Sequence, residues 1–180
     1  MTQEHYQKAM KFAGEKHSEQ KVPGTDANYL LHISNVAMEV LVAHSAKNEF
    51  DLDFAVQVAI LHDTIEDTSA TYDELKSEFG SAIANAVLAL TKDENIATKQ
   101  DRMNDSLARI NRLEKEVGLV KLADRITNLQ SPPAHWDIDK IRAYCLEAKL
   151  ILKELSGKND YLNKRLDHKI SEYEKQIEKR

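Results

Sequence analysis

Residues 51–68, with the sequence DLDFAVQVAILHDTIEDT, decide how the rest of the chain is interpreted. The first part is apolar on nearly every side and includes Phe54, Val56, Val58, Ile60 and Leu61. A helix of this kind occupies the buried centre of a domain, so we predict a central helix over residues 51–65. A run of four ionisable side chains, His, Asp, Glu and Asp, follows directly. Because an unpaired buried charge is costly, we expect these groups to meet partners or a ligand.

The composition of the whole chain favours further helices around this centre. Among 180 residues only 5 are glycine and 3 are proline, far fewer than a sandwich or barrel with many tight turns needs. Apolar side chains recur at helical spacing along almost the entire chain. We therefore predict an all-α bundle of about eight to ten helices, a single domain over residues 1–180, and no sheet. The predicted helices cover residues 2–18, 28–46, 51–65, 71–80, 81–91, 100–115, 117–130, 137–155 and 159–180.

Charge and cysteine content exclude several classes of protein. The chain has 30 acidic and 25 basic residues, a net charge of -5, whereas proteins that wrap nucleic acid usually carry the opposite balance. No stretch approaches about 18 apolar residues, and the N-terminus lacks the apolar core of a signal peptide, so we expect no membrane span and a cytoplasmic protein. The single cysteine, Cys145, leaves any metal to His, Asp and Glu ligands.

The ionisable run has a spacing of its own. Glu66 and Asp67 each follow His62 and Asp63 by four residues. On one helix the second pair therefore repeats the two faces of the first pair one turn later. This spacing predicts an inner pair able to bind a metal and an outer pair of acids beside it. Taken alone, the run is also compatible with the solvated polar end of a core helix.

Two further ionisable residues stand in apolar surroundings on other predicted helices. His32 lies within Leu-Leu-His-Ile and is either a hydrogen-bonded core residue or a metal ligand. Asp124 lies within Leu-Val-Lys-Leu-Ala-Asp-Arg-Ile-Thr-Asn and needs a cation beside it, which is Arg125, Lys121 or a metal. A site of two imidazoles and two carboxylates is chemically compatible with Mn²⁺, Fe²⁺ or Zn²⁺.

His32, HDTIEDT at 62–68 and VKLADRITNL at 120–129 together resemble the HD-domain metal-dependent phosphohydrolases. More narrowly, they resemble the hydrolase domain of the RelA/SpoT alarmone enzymes and the stand-alone small alarmone hydrolases of the Mesh type. The resemblance extends from about residue 9 to residue 155. It implies an all-α HD-domain bundle and a hydrolase that removes pyrophosphate from the 3′ position of ppGpp or pppGpp, giving GDP or GTP.

The resemblance also implies a role for each matching residue. The metal ion is Mn²⁺ in that family, with other divalent ions as alternatives, and its implied ligands are His32, His62, Asp63 and Asp124. The implied catalytic pair, which orients and deprotonates the attacking water, consists of Glu66 and Asp67. The implied substrate-binding positions are Tyr29, Lys121, Arg125, Asn128 and Tyr144.

Residues 21–29 depart from the family pattern. A basic loop and Pro-Tyr-Ile-x-His-Pro usually precede the first metal histidine, whereas this chain has KVPGTDAN followed by YLLHI. Tyr29 is kept, but both prolines are missing and Lys21 is the only basic residue of the loop. Within the second motif, Thr127 replaces the usual aromatic residue or histidine before Asn128. These positions would face nucleotide rather than metal.

Two alternatives to the alarmone hydrolase therefore stay open. The chain could be an HD phosphohydrolase that acts on another nucleotide or nucleoside phosphate, or a catalytically silent nucleotide-binding module. In each case we expect a small-molecule nucleotide as partner, and no nucleic acid or membrane. A homodimer contact through the charged tail, residues 164–180, also stays open.

Overall fold

The fold is described from a computed structural model that places residues 2–133 and 135–178. Within these ranges the chain forms ten helices, which confirms the prediction of an all-α bundle. They are α1 (Thr2–Lys16), α2 (Leu30–Ala46), α3 (Leu52–Leu61), α4 (Thr64–Asp67), α5 (Tyr72–Phe79), α6 (Ser81–Leu90), α7 (Lys99–Ile110), α8 (Lys115–Asn128), α9 (Ile138–Glu154) and α10 (Asp160–Glu178). The described residues contain no strand, and their extended pairing is limited to one isolated antiparallel bridge between Lys21 and Asn28.

Helix α3 has the central position that its apolar sequence predicts. Six of its ten residues, including Val58 and Ile60, are buried, and the helix packs against α1, α2, α6 and α8. Burying one such side chain contributes about 1.5–3 kcal/mol relative to leaving it exposed. Asp51 caps the N-terminus by accepting a hydrogen bond from the Phe54 amide at 3.1 Å. The C-terminal end of α3 therefore lies in the interior of the bundle, where the ionisable run begins.

The prediction of one continuous helix over 51–65 is wrong at its C-terminal end. Helix α3 ends at Leu61, and Asp63 adopts φ −101° and ψ 0°, outside the helical region. Two side chains compete for the backbone here. The His62 ring and the Thr64 hydroxyl each bond back to a carbonyl three residues earlier, at 2.8 Å and 2.7 Å. The chain turns at this point and begins the short helix α4.

This turn changes the geometry of the ionisable run. Glu66 and Asp67 lie on α4, so they do not repeat the faces of His62 and Asp63 on one continuous helix. The spacing argument from the sequence was wrong in this respect, because it assumed uninterrupted helical periodicity. The turn separates the two pairs onto different helical segments.

Helix α8 carries ionisable residues into the core. Every residue from Glu116 to Ile126 is buried, and these include Lys121, Asp124 and Arg125. Helices α2, α3 and α8 all pack against one another. This packing brings three parts of the chain close together in the core: His32 on α2, the end of α3, and Asp124 on α8.

Helix α10 closes one side of the bundle. It packs Leu162, Leu166 and Ile170 inward against α8 and α9. Arg165 also reaches α2, where its guanidinium makes two hydrogen bonds of 2.5 Å to Glu39. The predicted tail, residues 164–180, is thus helical as far as the structure describes it, and its residues 179 and 180 lie outside the described residues. A homodimer through this helix stays a prediction.

A search of the described residues for a helix both long and apolar enough to cross a membrane finds none.

Gly80 connects α5 and α6 in a conformation that requires glycine. Its φ of 86° and ψ of 165° lie in a region that other residues essentially do not occupy. We predict that Gly80→Ala lowers the free energy of unfolding, measured by urea denaturation, by about 1–3 kcal/mol. A steric clash does not cause this loss of stability, because a Cβ at this position would meet nothing within 4 Å.

Gly14→Ala is the matched control for this prediction. Gly14 lies inside α1, and an added Cβ would make an ordinary contact of 3.5 Å with Leu30. Replacing a helical glycine with alanine should raise stability by up to about 1 kcal/mol. Equal effects of the two substitutions would contradict the conformational explanation.

Candidate metal centre and active site

Four side chains from three segments of the chain converge at the end of α3. The Nε2 atoms of His32 and His62 lie 3.4 Å apart. Asp124 Oδ1 is 3.5 Å from the first of these nitrogens and 3.8 Å from the second. Asp63 Oδ2 is 3.6 Å from His32 Nε2 and 2.9 Å from His62 Nε2. The ligating atoms of His32, His62 and Asp124 thus form one buried cluster, and Asp63 approaches it from the side of the two histidines.

These separations fit a single divalent ion. Nitrogen and oxygen ligands about 2.1 Å from an ion lie roughly 3–3.5 Å from one another, depending on the coordination geometry. The ligating atoms of His32, His62 and Asp124 all lie within 4.8 Å of one another, and all three residues are buried. The donor set of imidazole nitrogen and carboxylate oxygen also suits a first-row divalent metal. The residues present could therefore hold such an ion.

Neighbouring groups orient two of these side chains. The His62 ring is bonded through Nδ1 to the Ala59 carbonyl at 2.8 Å. Since a carbonyl only accepts, Nδ1 carries the proton of this bond and Nε2 faces the other three groups. The Tyr29 hydroxyl donates to Asp63 Oδ2 at 2.6 Å. Tyr29 thereby fixes the carboxylate that the turn after α3 brings into the pocket.

Both carboxylate oxygens of Asp124 accept hydrogen bonds from residues of its own helix. Asn128 Nδ2 donates to Oδ1 at 2.6 Å, and Lys121 Nζ donates to Oδ2 at 2.9 Å. Lys121 is thus the cation that the sequence required beside Asp124, and the pair is buried. This ion pair leaves Oδ1 directed at the two histidines.

Arg125 and Tyr144 contact each other near the pocket. The guanidinium carbon of Arg125 lies 4.4 Å from the ring centroid of Tyr144. Arg125 is also buried and forms an ion pair with Glu147. The structure thus places the predicted substrate-binding residues around the pocket, but their contact with substrate stays a prediction. These residues are Tyr29, Lys121, Arg125, Asn128 and Tyr144.

The charged groups of the pocket shift one another's pKa values. Burial alone would lower the pKa of His62, but the Asp63 and Asp124 carboxylates raise it to about 10. Burial would raise the pKa values of the two carboxyl groups. His62 beside Asp63 and Lys121 beside Asp124 nevertheless hold both pKa values well below their usual range. A proton on His62 therefore takes the place of positive charge that a metal ion would supply.

Glu66 and Asp67 have different surroundings. Both oxygens of Glu66 accept hydrogen bonds from Lys92, one from its amide at 3.0 Å and one from its ammonium at 2.8 Å. Asp67 accepts a bond of 3.0 Å from Gln20 Nε2, and the residue is exposed. Partial burial of its carboxyl group raises the pKa of Asp67 and outweighs the opposing effect of Gln20, while the charge of Asp63 raises it further. Asp67 is therefore the better placed of the two acids to accept a proton.

Two cavities open beside this pocket, and Trp136 and Tyr144 line both. The charged cavity, of about 560 Å³, is lined by four basic side chains, Lys92, Lys99, Arg102 and Lys140, and by three acidic ones, Glu66, Glu94 and Glu147. The neutral cavity, of about 450 Å³, adjoins His32 and otherwise has uncharged lining residues, among them Asn35, Asn128, Gln130, Pro132 and Pro133. Both volumes fall within the range typical of small-molecule sites.

Sequence reasoning missed two residues that contact the acids. Lys92 is 26 positions from Glu66, and Gln20 is 47 positions from Asp67. No local spacing marks either of them. The sequence could predict only that each acid needs some partner, because a carboxylate close to a core helix needs a hydrogen-bond donor or a cation.

Comparison with known proteins identifies the family of this chain. The profile of a family described as HD domain matches residues 9–162. The chain belongs to the HD-domain family. The match ends within α10, so the prediction that residues 1–180 form one HD domain stays a prediction.

Named relatives of this HD domain include guanosine-3′,5′-bis(diphosphate) 3′-pyrophosphohydrolases. It is 32% identical to the guanosine-3′,5′-bis(diphosphate) 3′-pyrophosphohydrolase MESH1 of Xenopus tropicalis, over 89% of each chain. It is 36% identical to the guanosine-3′,5′-bis(diphosphate) 3′-pyrophosphohydrolase of Aquifex aeolicus, over 71% of this chain and 18% of that one.

A solved structure resembles this HD domain over nearly its whole length. It is described as a metazoan ortholog of SpoT that hydrolyses ppGpp and plays a role in starvation responses. The TM-score is 0.81 at 25% identity, and the match covers 93% of this chain and 94% of that chain. A second structure, from Listeria monocytogenes, matches with a TM-score of 0.58 at 19% identity and supports the fold alone.

The raised pKa of His62 generates a prediction about metal binding. Below about pH 10 the metal-free ring is protonated, whereas a ligating imidazole must give up that proton. We predict that Mn²⁺ binding releases a proton near neutral pH and that the apparent affinity rises about tenfold per pH unit. Calorimetry in buffers of different ionisation enthalpy measures both quantities.

His168→Ala is the control for this measurement. The His168 side chain is 71% exposed and lies on α10. Its loss should leave proton release and affinity unchanged. An Mn²⁺ affinity that does not vary between about pH 6 and pH 8 would contradict the prediction.

Proposed function

We propose that this HD domain is a metal-dependent hydrolase that removes pyrophosphate from the 3′ position of ppGpp or pppGpp, giving GDP or GTP. The observation that carries the proposal is the convergence of His32, His62, Asp63 and Asp124, with Glu66 and Asp67 beside them. The relatives named for this activity support it, because the stand-alone ones match almost the full chain.

We propose Mn²⁺ as the bound ion, held by His32, His62, Asp63 and Asp124. Support comes from the resemblance to the alarmone hydrolases and from the mixed nitrogen and oxygen donor set, which Fe²⁺ and Zn²⁺ also accept. When bound, a divalent ion supplies positive charge that polarises a phosphoryl oxygen and acidifies water.

The chain itself would supply proton transfer and orientation. Water attacks the phosphorus attached to the 3′ oxygen, and its proton passes to Asp67, whose raised pKa suits a base. The bond between that phosphorus and the 3′ oxygen breaks, and the oxygen takes up a proton to become the hydroxyl of GDP. Glu66, held by Lys92, would orient the water. The balance is ppGpp and water giving GDP and pyrophosphate.

The two cavities support separate binding places for two parts of the substrate. The charged cavity adjoins Glu66 and offers Lys99 and Lys140 to anionic phosphates. The neutral cavity offers prolines, aromatic rings and side-chain amides, which suit a nucleoside. We therefore assign the phosphates to the charged cavity and the nucleoside to the neutral cavity. The ring of Trp136 would contact both parts.

One observation favours a second candidate function. Lys21, the only basic residue of the loop over 21–28, forms an ion pair of 2.9 Å with Asp26 of the same loop. Its charge is thereby partly offset before any substrate binds. An HD phosphohydrolase that acts on another nucleotide or nucleoside phosphate is the resulting alternative. A catalytically silent binding module is less favoured, because all four ligand positions and both acids occur together.

We predict that the Mn²⁺-loaded protein releases pyrophosphate and GDP from ppGpp. Product identity, measured by anion-exchange chromatography, separates the candidates, with other nucleotides assayed in parallel. Turnover of a different nucleotide alone would transfer the assignment to the alternative. Absence of turnover on the whole panel at micromolar enzyme would favour the silent module. Replacing Mn²⁺ by Fe²⁺ or Zn²⁺ in the same assay tests the choice of metal.

We predict different effects for the inner and outer acids. Asp63→Ala should lose the metal, measured by elemental analysis after dialysis. Asp67→Asn should retain the metal and lower kcat by about 10²–10⁴-fold, because a proton acceptor is removed. Asp139→Asn is the matched control, since that side chain is 90% exposed on α9, and it should change neither quantity. Metal loss in Asp67→Asn would contradict the assigned roles.

A further inference from the structure

A hydrogen-bonded chain leads from the end of α1 to Asp67. Gln20 Nε2 donates to Asp67 Oδ2 at 3.0 Å, and Gln20 Oε1 lies 2.6 Å from His17 Nδ1. His17 is 1% exposed and Gln20 is half-buried. Neither residue contributes to the proposed metal site or to the two cavities described above.

The chemistry of the groups fixes the direction of this chain. An ionised carboxylate only accepts hydrogen bonds, so Gln20 must present its amide nitrogen to Asp67 and its carbonyl oxygen to His17. His17 must then carry its proton on Nδ1. Burial lowers the pKa of His17, which agrees with a neutral ring in this tautomer. Among the described residues, no hydrogen-bond partner faces its Nε2.

Backbone contacts hold the chain of side chains in place. The Gln20 amide donates to the His17 carbonyl at 3.0 Å, and the Tyr29 amide donates to the Gln20 carbonyl at 2.9 Å. The His17 ring also packs against the Tyr29 ring, with centroids 5.0 Å apart. Because Tyr29 donates to Asp63, one segment supports both an inner and an outer acid.

We propose that His17 and Gln20 are positioning residues, which hold the Asp67 carboxylate in the orientation that accepts a proton from the attacking water. The inference rests on the proposed hydrolase function. Gln20 occupies Oδ2 and leaves Oδ1 for the water. His17 fixes the rotation of the Gln20 amide, since the reverse rotation would set its carbonyl against the carboxylate. Proton transfer depends steeply on such orientation.

Gln20→Met tests the first link, because methionine keeps the length of the side chain and removes the donor. We expect kcat to fall about 10- to 100-fold, the effect of one lost hydrogen bond to a charged group. KM should stay within about twofold, and bound metal should be unchanged. Gln57→Met is the matched control, since Gln57 is also half-buried and donates to the Asp53 carbonyl on α3. Equal kcat values in the two variants would overturn the proposal.

Two substitutions at His17 test the second link. His17→Phe keeps an aromatic ring against Tyr29 and removes the Nδ1 donor, whereas His17→Asn keeps a donor near that position. We expect the first variant to lose kcat and the second to recover most of it. If both variants lose kcat equally, the ring matters for packing alone and His17 has no positioning role.

Nitrogen NMR of the histidine ring provides a readout that does not depend on turnover. We expect a neutral His17 ring protonated at Nδ1, with a changed Nδ1–H signal in Gln20→Met. A ring protonated at Nε2 would overturn the chain of hydrogen bonds even in an active enzyme. If the wild type hydrolyses another nucleotide but not ppGpp, the kinetic comparisons are made on that nucleotide. A wild type silent on every nucleotide would overturn the proposed function and the positioning role together.

Discussion

One buried and one partly buried carboxylate lie close together inside this bundle, and their mutual repulsion must be offset. Asp63 and Asp124 both face the histidines His32 and His62 at distances below 4 Å. Such groups are stable in the interior only if positive charge and hydrogen-bond donors accompany them. The ammonium of Lys121, the hydroxyl of Tyr29 and the ring of His62 supply these. These groups come from α2, α3, α8 and the segments beside them, which pack against one another.

The turn after α3 is the local feature that makes this convergence possible. A straight helix would direct His62 and Asp63 about 100° apart. By leaving helical geometry at Asp63, the chain brings this carboxylate within 2.9 Å of His62 Nε2 and starts α4 in a new direction. The two outer acids then lie beside the pocket with separate partners. Lys92 engages Glu66, and Gln20 engages Asp67.

Much of the fold follows from sequence because apolar periodicity is a local property. Every long predicted helix is present. The residues that meet at the pocket could also be anticipated, since Asp124 in so apolar a helix required a cation. The break at His62 and Asp63 could not, because it results from side chains competing for backbone carbonyls. The partners of Glu66 and Asp67 depend on long-range packing, which no local pattern reveals.

The ion pair of Lys121 and Asp124 has a consequence for how the protein matures. One buried ammonium and one protonated imidazole already balance the two carboxylates, so the centre of the bundle is close to neutral before any metal arrives. In small zinc domains the metal supplies the folding free energy itself. On the proposed metal assignment, the scaffold would be complete beforehand, and binding an ion would exchange a proton for a metal within an already folded structure.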